Sequence, residues 1–349
     1  MINFKGTSYL GLQDDPQFIN LVQEGLHIYG TTNPTSRLSD YNFNEIELME
    51  KNISGILSTE DTILFTSGYL AGLTAKSFFE YFAGKNSLPV IEAPRLHPCL
   101  KNDNSSLKVQ EVGENHFIDY ILKIKNSVAN CILINNLVDS FTGFPEPVDV
   151  YFREIKPLWM VSDISHAFEV ANISKILPAE IRGKTIFVSS TGKACGVPGG
   201  FISGNKEIID HICKIMPVYS AAAPPPQAMA YAFNKSEDLR QKKRINLEKN
   251  IEEFEKKTGF YSQVTGKKEK FPIYCLGQNR DDIFSLLSEQ GLFCSYLSYP
   301  TCTSPKYLRI VLNAAHTYED IDKISSLLWK NNLKICTTSF PAPGRIIYL

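Results

Sequence analysis

Ser189-Ser190-Thr191-Gly192-Lys193-Ala194-Cys195-Gly196-Val197-Pro198-Gly199-Gly200 follows the apolar run Thr185-Ile186-Phe187-Val188 and sets one lysine among small residues. A short apolar run bounded by turn residues reads as a buried strand. The glycines beyond it permit close backbone approach, so Lys193 stands at a strand end, unfriendly ground for a solvated amine. The same grammar repeats upstream: Thr62-Ile63-Leu64-Phe65, Leu88-Pro89-Val90-Ile91, Cys131-Ile132-Leu133-Ile134 and Trp159-Met160-Val161-Ser162 read as further buried strands. Between them, segments such as 71–82 and 117–127 carry helix-period apolar spacing. This alternation predicts an α/β fold, a mainly parallel central sheet covered by helices on both faces, with ligands bound beyond the carboxyl ends of the strands.

After Phe201 the pattern changes to a helix over 206–215, the turn Ala223-Pro224-Pro225-Pro226, and a long charged helix from about Gln227 to Thr258. That helix is expected to cross to a small C-terminal α+β domain with strands near 272–276, 293–296 and 308–312. The division expected is an N-terminal arm and substrate segment over 1–40, a large domain over 41–225, and a linking helix with the small domain over 226–349. The 349 residues are 43% hydrophobic and 21% charged, enough for a sizeable core. Thirty-six basic against 37 acidic residues leave a net charge of −1, which gives no electrostatic case for nucleic acid or an anionic membrane surface. The eight cysteines show no CxxC pair and no zinc spacing, and read as reduced thiols. With neither a signal-peptide pattern at Met1-Ile2-Asn3-Phe4-Lys5-Gly6 nor an apolar stretch of spanning length, a cytoplasmic enzyme without membrane insertion is expected.

Four places carry chemistry. Thr66-Ser67-Gly68-Tyr69 follows a strand and opens a helix, where free amides and the helix dipole suit a phosphate; an ordinary Ser N-cap has the same sequence. Asp163 and His166 follow the strand at 159–161. A carboxylate there can keep a pyridinium nitrogen protonated, and the histidine can donate to a ring oxygen, although a capping Asp and a satisfied core histidine read the same way. Lys193, thirty positions beyond Asp163, offers an amine whose pKa burial would lower; a surface-loop lysine is the alternative. Arg309 lies among apolar neighbours in Leu308-Arg309-Ile310 and needs a planar anion, either a substrate carboxylate or an internal acid.

Taken together, these blocks resemble the α-oxoamine synthases. That is the pyridoxal 5'-phosphate (PLP) dependent, fold type I family of 8-amino-7-oxononanoate synthase, 2-amino-3-ketobutyrate CoA ligase and serine palmitoyltransferase. The resemblance also draws on Ser8-Tyr9-Leu10-Gly11-Leu12, Tyr29-Gly30 with Ser36-Arg37-Leu38, and Ala315-His316-Thr317-Tyr318-Glu319-Asp320-Ile321, so it spans nearly the whole chain. It implies that Lys193 bonds the cofactor aldehyde, Asp163 partners the ring nitrogen, His166 the ring oxygen, and His97, in Arg95-Leu96-His97-Pro98-Cys99, stacks on the ring. Ser67, Gly68, Tyr69 and Ser190 would hold the phosphate. Arg309 would hold the substrate carboxylate, with Asn136 and Ser140 lining the same pocket. Family members are homodimers with shared sites, so Ser220 or a neighbour is expected to reach the phosphate of the partner. The implied reaction is a C-acyl transfer from acyl-CoA, or an acyl carrier protein, to a small amino acid, usually with decarboxylation. The 8-amino-7-oxononanoate synthase type, which joins L-alanine to a pimeloyl thioester in biotin biosynthesis, fits first. An aminotransferase of the same fold and a PLP-binding relative without catalysis are the alternatives. The chain departs from the family at Thr31-Thr32-Asn33-Pro34-Thr35, at Asn135-Asn136 and at Tyr299-Pro300-Thr301, all on the substrate side.

Overall fold

The computed structural model describes residues 1–101, 108–113, 121–122, 130–259, 270–299, 301–333 and 343–348. Along the chain run β1 (Ile2–Phe4), α1 (Pro16–Tyr29), α2 (Asn44–Leu57), β2 (Asp61–Phe65), α3 (Gly68–Asn86), β3 (Val90–Glu92) and β4 (Lys108–Gly113). Then come β5 (Ile132–Asn136), α4 (Val148–Ile155), β6 (Trp159–Asp163), β7 (Thr185–Ser190), β8 (Gly200–Gly204), α5 (Lys206–Ile215), α6 (Pro217–Ala221), α7 (Gln227–Lys235) and α8 (Glu237–Thr258). The remainder holds β9 (Ile273–Gln278), α9 (Asp281–Glu289), β10 (Leu292–Ser298), β11 (Lys306–Val311), α10 (Tyr318–Lys330) and β12 (Pro343–Tyr348).

Successive side chains on the central strands point to opposite faces, and both faces are buried. Ile132, Ile134, Val161, Ile186 and Val188 join one apolar cluster under α3 and α5, which contribute Phe78, Phe79, Ile208 and Ile212. Their neighbours Leu133, Met160 and Phe187 join the other, with Ile53 of α2, Tyr151 of α4 and Phe233 of α7. This double burial is why the strands read as unbroken apolar runs rather than as alternating ones. The large sheet has the order β2-β8-β7-β6-β5-β3-β12-β4. Strands β3, β5, β6 and β7 are parallel neighbours, while β8 runs antiparallel to both β7 and β2. Asn136 stands opposite Asp163, and Asp163 opposite Val188, so the carboxyl ends of β5, β6 and β7 finish side by side.

The small sheet has the order β1-β10-β11-β9, with β1 parallel to β10 and the other pairs antiparallel. Helix α10 starts in a capping box, Thr317 with Asp320, and buries Ile321, Ile324 and Leu328. One apolar cluster runs without a break from Leu133 and Phe187 of the large sheet through Phe4 and Tyr9 to Ile273 and Leu308 of the small one and Ile321 of α10.

Three expectations need correction. The single long helix is two, α7 and α8, parted at Ser236, whose hydroxyl donates to the Phe233 carbonyl at 3.0 Å and competes with the helical bond there. The strand expected from Leu88 begins at Val90. The chain's last strand, β12, does not join the small domain: it lies antiparallel between β3 and β4 in the large sheet. The helical pattern over 117–127 falls almost wholly outside the described residues. No helix among the described residues is long and apolar enough to cross a membrane.

Candidate active site

The Lys193 loop is closed by its own backbone. Thr191 N donates to Gly199 O at 3.0 Å and Thr191 Oγ1 to Val197 O at 3.0 Å. Gly196, at φ 68, allows the loop to settle against Leu12 and Phe18. The ends of β6 and β7 are also stitched together. Asp163 Oδ1 accepts from Ser165 N at 2.8 Å, and Ser165 Oγ accepts from Ser190 N at 3.0 Å. These bonds set Asp163, His166 and Lys193 around one space at the carboxyl edge of the sheet.

Within that space Lys193 Nζ lies 3.1 Å from His166 Nε2, and His166 Nδ1 lies 2.5 Å from the hydroxyl of Tyr9. Burial lowers the lysine pKa below its ordinary value; Asp163 and Cys99 oppose the shift and Arg309 reinforces it. Burial also holds His166 well below the usual imidazole range, helped by the nearby charges of Lys193, Arg309 and His97. His97 is lowered as well, by burial first, with Asp163 pulling the other way.

His97 Nδ1 is 2.9 Å from Cys99 Sγ, and its ring meets Tyr69 edge-on at 6.1 Å and Tyr299 at 6.3 Å. Phe141 lies 5.4 Å from Tyr299, so aromatic rings line this side. Burial pushes the Cys99 thiol up to about 12, which favours the protonated thiol over the thiolate. Asn136 Nδ2 donates to the Arg95 carbonyl at 3.0 Å, which ties the His97 segment to the end of β5.

Ser67 caps α3, its Oγ accepting from Leu70 N at 3.1 Å. The amides of Gly68 and Tyr69 belong to the helical turn that has no intrahelical acceptor. A Cβ on Gly68 would fall 2.7 Å from Ser190 Cβ, so glycine alone lets the start of α3 rest on the end of β7. Arg309, on β11, reaches across from the small sheet and donates through Nη1 to the Ser140 carbonyl. Its Nε is buried with no hydrogen-bond partner among the described residues.

The predicted residues thus fall into three groups. Asp163, His166, His97 and Lys193 share one electrostatic neighbourhood, Gly68 touches Ser190, and Arg309 meets Ser140 through its backbone rather than its hydroxyl. Ser220 stands apart: its hydroxyl donates to Pro217 O at 3.0 Å inside α6. Tyr9 and Tyr299 were not singled out from the sequence. Tyr9 had a signal in its Ser8-Tyr9-Leu10-Gly11-Leu12 block, but nothing in that block points to a histidine 157 positions away.

Residues 153–327, half of the chain and the stretch that carries Asp163, Lys193 and Arg309, match the aminotransferase class I and II family. The chain belongs to that family. Among its relatives, a provisionally named 8-amino-7-oxononanoate synthase of Methanococcus vannielii is 29% identical over 344 residues, covering 92% of this chain and 89% of the relative. Of solved structures, a serine palmitoyltransferase from S. paucimobilis with PLP and myriocin bound superposes with a TM-score of 0.75 at 18% identity, covering 94% of this chain and 86% of the other. The 8-amino-7-oxononanoate synthase of Francisella tularensis gives 0.67 at 18% identity, covering 95% and 98%. The expected fold type I architecture is borne out, and so is the α-oxoamine synthase resemblance. This family member keeps an enclosed amine, an acid in the same electrostatic neighbourhood, and an arginine Nε that is buried with no hydrogen-bond partner among the described residues.

Proposed function

We propose that this chain is a PLP-dependent C-acyltransferase of the 8-amino-7-oxononanoate synthase type, joining a small amino acid to an acyl thioester with loss of the amino-acid carboxylate. The reading is carried by one observation: an enclosed Lys193 amine, its pKa lowered, faces the same space as Asp163 and as an arginine whose buried Nε has no partner among the described residues.

The residues fit the cofactor. Lys193 would bond its aldehyde, Asp163 its ring nitrogen and His166 its ring oxygen, with His97 on the ring face. Ser67, Gly68, Tyr69 and Ser190 would hold its phosphate, and Ser220 would do so from the partner subunit of a homodimer. When bound, PLP supplies an electron sink for the α-carbon of the amino acid. The rest belongs to the chain. Arg309 presents a planar fork to the substrate carboxylate, with Nη1 already fixed on Ser140 and Nε available, which sets the α-carbon relative to Lys193. As a free base, Lys193 takes the α-proton and returns one at the end. Asn136 and Ser140 line the carboxylate side, and the rings of Tyr299, Phe141 and Tyr69 flank the approach. The relatives' names favour L-alanine with a dicarboxylic acyl thioester.

The test is a turnover screen of L-alanine, glycine and L-serine against short, medium and dicarboxylic acyl-CoAs, read as release of CoA thiol together with carbon dioxide. Thiol and carbon dioxide released in equal amounts, highest for L-alanine with a dicarboxylic thioester, support the reading. Conversion of bound PLP to its pyridoxamine form by an amino acid alone, with no thioester needed, would replace it with an aminotransferase.

A further inference from the structure

Tyr9 has not entered the chemistry so far, and its surroundings are unusual. The side chain is fully buried, and its hydroxyl has one partner among the described residues, His166 Nδ1 at 2.5 Å. The other ring nitrogen of that histidine, Nε2, lies 3.1 Å from Lys193 Nζ. Tyr9 is also pinned from behind. Its carbonyl accepts from Ala314 N at 2.9 Å, in the segment that follows β11 and Arg309, and Gly11, at φ 63, brings the chain against Ala315.

The proton count decides what this arrangement does. A buried hydroxyl left without an acceptor costs about 1–3 kcal/mol. If His166 carried its proton on Nδ1, that N–H would donate to the Tyr9 oxygen, and the Tyr9 proton would be left with no acceptor within reach among the described residues. With Nδ1 bare, Tyr9 donates to it, the proton of His166 sits on Nε2, and Nε2–H donates to Lys193, which accepts it as the free amine. Among the described residues, the charged and titratable groups around this imidazole are Tyr9, Lys193, Arg309 and His97, with the Asp163 carboxylate in the same space. Three of them carry or can carry positive charge, so a second proton on the ring is opposed from several sides.

We infer that Tyr9 is the positioning residue of this site: it locks His166 in the Nε2–H tautomer, as a one-way donor toward Lys193 and toward whatever oxygen takes the place of the lysine amine. The step is one of orientation only, with no bond made or broken and no net proton transferred. Because the backbone of Tyr9 is bonded to the segment following Arg309, the carboxylate clamp and the donor are tied to one anchor. The consequence for the loaded enzyme rests on the cofactor reading above; the tautomer itself does not.

The test uses the cofactor-free protein labelled with 15N in its six histidines, the His166 signals being those that vanish in His166→Gln. In the wild type across the neutral range, the expected pattern is a protonated Nε2 and a bare Nδ1. In Tyr9→Phe the two nitrogen shifts should move toward each other as the tautomers mix. A proton on Nδ1 in the wild type, or an unchanged pattern in Tyr9→Phe, overturns the proposal, and the wild-type arm stands even if the variant fails to fold. With PLP added, Tyr9→Phe should shift the pH midpoint of the cofactor's visible band upward, because Nε2–H becomes a weaker donor. It should also lower kcat about tenfold, one hydrogen bond's worth. A midpoint that stays in place with only the melting temperature lowered would mean a packing role and overturn it. If no thioester substrate turns over but the tautomer pattern is as stated, the acyltransferase reading fails and the role of Tyr9 survives.

Discussion

The Lys193 amine faces an imidazole that burial keeps neutral and lies within the field of Arg309, so a proton on it is opposed in the folded chain. Its pKa when folded is below the unfolded value of 10.5, and between those two values the unfolded chain holds a proton that the native chain lacks. Native stability therefore rises with pH through that window. Lys193→Met should accordingly raise the melting temperature of the cofactor-free protein at neutral pH, by about 1 kcal/mol in stability, while abolishing activity. The gap should close as pH approaches 10.5; a lower melting temperature for the variant at neutral pH would contradict the burial argument. At this scale the sequence made Asp163, His166 and Lys193 legible because each follows an apolar run whose end faces a ligand edge. Tyr9 and Tyr299 were not legible, since their partners come from other segments that only the folded chain brings near.

Strand ends and one helix start do the positioning. β5, β6 and β7 place Asn136, Asp163 and Ser190 along one edge, and Gly68 lets α3 aim its first turn at the same edge. Gly68→Ala puts a methyl group 2.7 Å from Ser190 Cβ, against strand backbone that has little room to yield. The expected cost is about 1–3 kcal/mol of stability, with PLP affinity, measured by equilibrium dialysis, weakened at least as much as for Ser67→Ala. Unchanged stability and affinity would mean that the contact between α3 and β7 is slack. Most elements were readable because double burial leaves continuous apolar runs. The break between α7 and α8 escaped because Ser236 and Arg240 both bond the Phe233 carbonyl, a local competition that helix periodicity does not register. The place of β12 escaped too, since strand order within a sheet leaves no trace in the spacing of one strand.

Across the molecule, the small sheet is no independent appendage. The apolar cluster that contains Leu133 and Phe187 continues into Ile273, Leu308 and Ile321, and Arg240 and Arg244 of α8 both bind the buried Glu169 carboxylate in the large domain. Urea unfolding followed by tryptophan fluorescence and by far-UV circular dichroism should therefore give coincident single transitions. Two separated transitions would show that the sheets fold apart, and the clamp at Arg309 would then lack a fixed distance from Lys193. Dimerisation, by contrast, is an expectation from the resemblance alone, in which Ser220 of α6 or a neighbour would reach the phosphate of the partner.

The account depends on Lys193 being the residue that bonds the cofactor. Reducing the PLP-loaded protein with borohydride and locating the modified peptide by mass spectrometry tests this directly. The account predicts one phosphopyridoxyl group, on Lys193 in the peptide containing Ser190-Thr191-Gly192, and none in Lys193→Ala. Modification of another lysine in the wild type, or an unchanged yield in the variant, would contradict it.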